Sequence, residues 1–371
     1  MFNRKLTFIL PSLRGGGAER VILTLTELML RKGYIVELVL IRSIGAFSSE
    51  LPEGLKVIDL GRKRALFSIF ALGRYLRSSS PEVIFPSLPH ISIVTLISTW
   101  ITRTKSVVIP IEHNTLSESI RYSPSIKQSL LPLLMRLTYR RARTVICVSQ
   151  GVQRDLQRKL SLPPEKLMVI YNPVITEMLD SLSKQTVCHP WLSCRNKPVL
   201  VAAGRLTYAK GFDVLIDAME IVCGSSNARL IILGAGPDEA NLKQQILKKN
   251  LSDHISMPGF IANPYPFFRL ASIFVLSSRW EGLPTVLIEA AACGANIVST
   301  DCPSGPREIL DSETSQELVP VGDHQALANR ILDVLERELT LQRPRDFTQF
   351  TAAYAQKQYD KLINKELSNL I

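Results

Sequence analysis

Short runs rich in Val, Ile and Leu alternate with longer amphipathic stretches along all 371 residues of the chain. The short runs are apolar at nearly every position rather than at every second one. That pattern predicts strands buried on both faces of a parallel sheet, with helices covering both sides. In the first half they fall at residues 6–13, 35–41, 55–60, 82–88, 106–112, 144–149 and 168–172, and a helix is expected over 18–32, closed by Gly33. The pattern loosens over 173–198, where Pro173, Pro190 and Pro198 interrupt it. It resumes with strands at 199–204, 229–233, 255–257, 273–277 and 296–300, and helices at 212–222 and 284–293. A last helix, 347–367, has no strand after it. The expected fold is α/β, with two Rossmann-like domains facing a cleft. Residues 1–175 form the first domain, 176–197 a linker, 198–345 the second domain, and 346–371 a helix that packs back on the first.

Charge adds a partner class. The net charge is +11, but residues 1–170 carry 25 Lys and Arg against 11 Asp and Glu, while the remainder carries 19 against 22. A basic first half points to an anionic partner: nucleic acid, a membrane surface or a phosphorylated substrate. No RNP motif, zinc finger or basic helical arm accompanies it, so nucleic acid is not expected. The six cysteines form no C-x2-C pair, and Cys188, His189 and Cys194 fit no common zinc spacing. Reduced thiols in a cytoplasmic protein are the simpler reading. The N-terminal apolar stretch is too short for a signal peptide and lacks a cleavage site. The longest uncharged run, residues 83–102, contains Pro86, Pro89, His90, three Ser and three Thr, so a strand, a turn and a short helix explain it better than a membrane span.

Four segments carry chemistry, each at the end of a predicted strand. Arg14-Gly15-Gly16-Gly17 opens the first helix; glycines let backbone N–H groups approach a ligand, although a tight turn accounts for them equally well. It is not G-x-G-x-x-G, so the dinucleotide fingerprint fails. Gly204-Arg205-Leu206-Thr207-Tyr208-Ala209-Lys210-Gly211 puts two cations where a diphosphate would lie, unless they are simply solvated. In Glu281-Gly282-Leu283-Pro284-Thr285-Val286-Leu287-Ile288-Glu289, Pro284 suits a first helical turn, so Glu281 is expected in the loop and Glu289 on the helix. Each carboxylate can accept from a pair of hydroxyls, and the apolar stretch after Glu289 argues that it is buried and needs partners. His113 ends an apolar strand, where an imidazole is either structural or a cleft residue that hydrogen-bonds a hydroxyl.

These residues resemble the retaining glycosyltransferases of the GT-B fold, family 4, over nearly the whole chain and most densely from Arg205 to Leu310. Glu281 and Glu289 match that family's E-x7-E motif. The resemblance implies that Arg205 and Lys210 bind the donor diphosphate, that Glu281 holds the sugar and Glu289 the ribose, and that His113 meets the sugar from the first domain. It implies further donor-side contacts at Gly204, at Gly234 and Gly236, at Phe260 near the base, and at Leu283 and Thr285, with Gly16 and Gly17 in the N-terminal glycine loop. The segment from Asp301 to Leu310 is similar to bacterial members that build surface polysaccharides and lipid-linked glycans. The sequence has no D-x-D, the clustered carboxylates with which a metal would hold the diphosphate, so no metal and no cofactor are expected.

The resulting expectation is transfer of a hexose or N-acetylhexosamine, with retention, from a nucleotide-diphosphate sugar, UDP being the commonest donor nucleotide, to a glycan or polyprenyl-linked acceptor. A nucleotide-sugar epimerase of the same shape and a non-catalytic nucleotide-sugar-binding protein are the alternatives. An epimerase would need an acid–base pair over the sugar, and acceptor-independent turnover would reveal it; donor hydrolysis by the purified chain would exclude a mere binding protein. Two basic stretches without acids, 62–77 around Leu66, Phe67, Ile69, Phe70 and Leu72, and 125–143 with Lys127, Arg136, Arg140, Arg141 and Arg143, read as amphipathic helices. Either their apolar faces pack on the sheet, or they lie on an anionic membrane at the cytoplasmic face of the inner membrane.

Overall fold

The computed structural model describes residues 4–13, 16–45, 47, 50–122, 126–194, 197–310, 317–336 and 346–368, with the side chains of 126–128 and 194 left out. It divides into two units, Met1–Pro173 with Gln349–Ile371, and Val174–Thr348.

In the first unit the strands are β1 (Lys5–Leu10), β2 (Ile35–Leu40), β3 (Lys56–Asp59), β4 (Val83–Pro86) and β5 (Val107–Val108). They form one parallel sheet in the order β3-β2-β1-β4-β5. The expected strand over 106–112 is broken. Pro110 has no N–H for the ladder, so the run resumes as β6 (Ile111–Glu112), which pairs with β7 (Val145–Cys147), and that in turn with β8 (Leu167–Val169). A bridge from Ser87 to Ile111 joins the two sheets. Leu6, Phe8, Ile9 and Leu10 are fully buried, and Phe8 stacks on Phe85 at 5.0 Å.

The uncharged run 83–102 is β4 followed by a helix longer than expected, Pro89–Thr102. Pro89 sets its first turn. Thr95 and Ser98 donate to the carbonyls of Ile91 and Val94 at 2.9 and 2.8 Å, which satisfies hydroxyls that the core would otherwise strand. Among the described residues no helix is long and apolar enough to cross a membrane. The closing helix, Ala352–Ser368, belongs to this unit: Tyr359 meets the Phe85 ring edge-on at 5.6 Å, and Gln356 donates to Leu28 O at 2.7 Å.

The second unit is a single parallel sheet of β9 (Val199–Ala203), β10 (Arg229–Leu233), β11 (Ile255–Gly259), β12 (Ile273–Leu276), β13 (Ile297–Thr300) and β14 (Leu318–Val319). Its order is β11-β10-β9-β12-β13-β14, so the direction of winding reverses between β9 and β12. β14 was not anticipated; two residues carry too little periodicity to register. The stretch 176–197, expected as a linker, instead forms helices Leu179–Ser183 and Pro190–Cys194 within this unit. They are held to it by Asn263, which donates to Leu182 O at 3.0 Å, and by His189 Nε2, 3.2 Å from Ser256 Oγ. That bond, with His189 buried, gives the histidine a structural partner. Among the described residues no group of three or more His, Cys, Asp or Glu is placed so that it could hold a metal ion.

Candidate active site

In a doubly wound sheet, the loops leaving two strands on either side of the reversal diverge and open a crevice at the carboxyl ends. In the second unit those loops are 204–211, after β9, and 277–284, after β12. They are bound together tightly. Lys210 Nζ lies 2.6 Å from Glu281 Oε1, and Ser278 Oγ donates to the same oxygen at 2.6 Å. Ser277 Oγ donates to Lys210 O at 2.9 Å. Arg279 grips Asp213 through both terminal nitrogens at 2.7 and 2.6 Å, donates to Tyr208 O at 2.9 Å, and stacks over the Tyr208 ring at 3.9 Å. Burial works to raise the Asp213 carboxyl, but the Arg279 hydrogen bonds and charge outweigh it and hold Asp213 below its ordinary value. The end of β13 and the loop after it buttress the second loop: Thr300 Oγ1 donates to Ser278 O at 2.6 Å and Ser304 Oγ to Gly282 O at 2.7 Å.

The glycines at these strand ends are explained by packing. A Cβ on Gly234 would overlap the Gly204 carbonyl oxygen, and its φ of +142° is one that side chains rarely adopt. A Cβ on Gly236 would collide with the backbone of Leu206. The loop after β10 therefore lies directly against the loop that carries Arg205 and Lys210. Gly204 itself flanks the methylenes of Lys210.

Arg205 is exposed, and its carbonyl accepts from Thr207 Oγ1 at 3.4 Å. Lys210 is half-buried, with one of its three N–H donors directed at Glu281. Glu281 sits in the loop and is buried; Glu289 is buried on the helix Thr285–Ala292. Pro284 is the residue before that helix, one position earlier than the first-turn placement expected, and no side chain caps the N-terminus, which Thr285 opens. Thr285 and Glu289 share a face, one turn apart. Leu283 is buried, and Phe260 is exposed after β11. Cys302 is buried near Glu281; burial first, then the Glu281 charge, push its thiol well above the ordinary range, so it is not a reactive nucleophile.

The remaining expected residues lie in the first unit. Gly16 precedes the helix Gly17–Arg31, and the Glu19 carboxylate folds back against it, so the chain supplies an anion to this helix N-terminus itself. Arg14 and Gly15 fall outside the described residues. His113 follows β6 and is buried, its Nε2 without a hydrogen-bond partner; burial pushes it down to about 4, so it is a neutral imidazole at physiological pH. Its neighbour Glu112, to which the sequence pattern assigns no role, is fully buried. Burial pushes its carboxyl up to about 8 against the opposing hydrogen bonds from Tyr139 and Ser92. The signal was present in the sequence as a lone acid in an apolar strand. Ser278, Arg279, Thr300 and Ser304 were also missed, because nothing in local sequence announces a contact between loops 20 to 70 residues apart.

Comparison with known proteins fits this geometry. Residues 15–178 match the profile of Glycosyltransferase Family 4, and residues 190–352 that of Glycosyl transferases group 1. The chain belongs to this glycosyltransferase family and is a glycosyltransferase. It is 26% identical over 344 residues, 90% of each chain, to N-acetylgalactosamine-N,N'-diacetylbacillosaminyl-diphospho-undecaprenol 4-alpha-N-acetylgalactosaminyltransferase of Campylobacter jejuni. It is 27% identical over 301 residues, 80% of this chain and 81% of the other, to the amylovoran biosynthesis glycosyltransferase AmsD of Erwinia amylovora. Among solved structures, Anabaena HepE in complex with UDP-glucose superposes with a TM-score of 0.76 at 21% identity, covering 98% of this chain and 99% of that one. The fold is that of the GT-B glycosyltransferases.

Proposed function

We propose that this enzyme transfers a hexose or N-acetylhexosamine from a UDP-sugar, with retention and without a metal, to a glycan or polyprenyl-linked acceptor at the cytoplasmic face of the inner membrane. The observation that carries the donor half of the reading is the Lys210–Glu281 pair, 2.6 Å apart at the reversal of the second sheet. It sets a cation for the departing diphosphate beside a carboxylate for sugar hydroxyls. Arg205 stands in the same loop as a second, exposed cation, and the uncapped helix at Thr285 offers N–H groups to phosphate. Glu289, a turn along that helix, is suited to ribose hydroxyls, and Phe260 to the base. Gly204, Gly234 and Gly236 bring the backbone of two loops up to the same place. Catalysis consists of positioning and stabilising charge, with no protein nucleophile.

Two relatives support the acceptor half. The Campylobacter enzyme acts on an undecaprenol-linked diphosphate glycan, and AmsD takes part in amylovoran biosynthesis. The solved complex of HepE with UDP-glucose supports the donor.

The test is sugar transfer and slow donor hydrolysis by the purified chain with UDP-, GDP- and ADP-sugars, with and without EDTA. Wild type should turn over a UDP-sugar in EDTA. Arg205→Ala/Lys210→Ala should lose transfer while keeping its fold, since each charge-assisted contact is worth about 1.5–3 kcal/mol. Full activity in the double variant, or activity abolished by EDTA and restored by Mg²⁺, would overturn the assignment.

A further inference from the structure

The two basic stretches bury only part of their apolar residues in the core. Of the first, Leu72 is buried, but Leu66, Phe67 and Phe70 are exposed, Phe70 to 81%. They lie on the turn Ala65–Ser68 and the start of the helix Ile69–Ser79. On the helix Ile126–Tyr139, Met135 and Tyr139 face inward, while Leu130, Leu133, Leu134 and Leu137 are each about half exposed. Between these two helices, packed against both, runs Pro89–Thr102, whose last turn exposes Trp100 and Ile101. Three neighbouring elements thus present large apolar side chains on one layer of the first unit. A soluble surface scatters such residues singly; a group of this size marks a contact surface.

The charge around that layer says what the contact is. From Gly61 to Arg154 the chain has fourteen Lys and Arg and only three acids, Glu82, Glu112 and Glu118, and Glu112 is buried. At the end of the layer an open cavity of about 270 Å³ is lined by Trp100, Thr104, Lys105, Ser106, Arg141 and Arg143. Arg141 stacks over the Trp100 ring at 4.7 Å, and Thr104 Oγ1 is buried without a hydrogen-bond partner. Three cations, an indole and three serine or threonine residues, Thr99 among them, line it. Arginine and lysine with hydroxyl donors match a phosphate ester, and an indole edge suits the boundary between headgroup and acyl chain. The cavity lies at the amino-terminal side of β5, opposite to the carboxyl ends where substrates of such sheets bind.

We propose that this layer docks on an anionic phospholipid bilayer, with Phe67, Phe70, Trp100 and the leucines of Ile126–Tyr139 entering the interface and the Lys105–Arg141–Arg143 cavity holding a lipid phosphate. The bound phosphate is that of a bulk lipid, distinct from the acceptor. The proposal rests on the reading of the acceptor as membrane-linked, but its test is independent of activity.

The full chain is sedimented with vesicles of phosphatidylcholine alone and of equimolar phosphatidylglycerol and phosphatidylcholine. Wild type should sediment with the anionic vesicles at low salt and be released at high salt, as screening shortens the reach of the charges. Phe67→Ser/Phe70→Ser should weaken this binding, and Lys105→Glu/Arg141→Glu should weaken it roughly tenfold or more. Both variants should keep the wild-type melting shift with UDP, which separates failure of docking from failure of the donor site. Wild type left in the supernatant with anionic vesicles overturns the proposal. So does unaltered binding by both variants, or inorganic phosphate at millimolar concentration displacing the protein from vesicles no more from wild type than from Lys105→Glu/Arg141→Glu. A monomer–dimer shift produced by Phe67→Ser/Phe70→Ser without vesicles would assign the face to a second copy instead and equally overturn it.

Discussion

A buried carboxyl and a buried imidazole stand side by side at Glu112 and His113, and burial drives both toward neutrality from opposite directions. The consequences for stability have opposite signs. Glu112 has a raised folded value, so its contribution is fully present below 4.5 and is lost as pH rises through about 8. His113 has a depressed one, so its contribution is present above 6.5 and is lost as pH falls towards about 4. Replacing Glu112 with Gln keeps an acceptor for Tyr139 and removes the titration. The melting temperature of wild type should therefore fall relative to Glu112→Gln as pH rises from 4.5 to about 8. Parallel profiles across that window would show that Glu112 is not held protonated by the fold. Residues that bear charge at strand ends are the legible part of the candidate site. Lys210, Glu281 and Glu289 can be picked out because charge beside an apolar strand or helix is costly without a purpose. The hydroxyls of Ser278, Thr300 and Ser304 were not, because a serine in a loop carries no local signal of what it will bond.

At the scale of elements, periodicity located nearly every strand, and its errors have causes. Pro110 divides one strand into β5 and β6; the hydroxyl-rich helix Pro89–Thr102 is buried because its side chains bond back to its own carbonyls; and a proline-punctuated stretch read as linker carries two short helices. What no periodicity reveals is how loops are locked to each other. Arg279 does this for loops 204–211 and 277–284 by bridging Asp213, the Tyr208 carbonyl and the Tyr208 ring. Asp213 is partly exposed, so the bridge is discounted for solvent, and Arg279→Ala should cost about 1–2 kcal/mol of stability. It should also weaken donor binding, because Lys210 and Glu281 lose their mutual alignment. Arg279→Lys keeps the charge but not the planar fork, and should recover little of either. Full recovery in a thermal melt and a UDP titration of Arg279→Lys would show that charge alone holds the loops.

Over the whole molecule, the anionic donor is assigned to the unit with a slight acidic excess, while the large basic excess lies in the other. Charge is screened beyond about 8–10 Å at physiological salt, so in the proposed reading the second sheet holds the diphosphate by groups at contact distance, Arg205, Lys210 and the helix opening at Thr285, rather than by a general positive field. The basic residues of the first unit are then available for a separate anionic surface. The two functions should respond separately in hydrogen exchange. A saturating UDP-sugar should protect backbone amides over 204–211 and 277–289 and leave 65–79 and 126–139 as they were. Anionic vesicles should do the reverse. At about one hundred times its dissociation constant, the donor stabilises the native state by about 2.7 kcal/mol, and amides that open only with the donor site should slow accordingly. If the UDP-sugar protects 126–139 as strongly as 204–211, the division of labour between the two units is wrong, and the basic layer belongs to substrate binding rather than to a membrane.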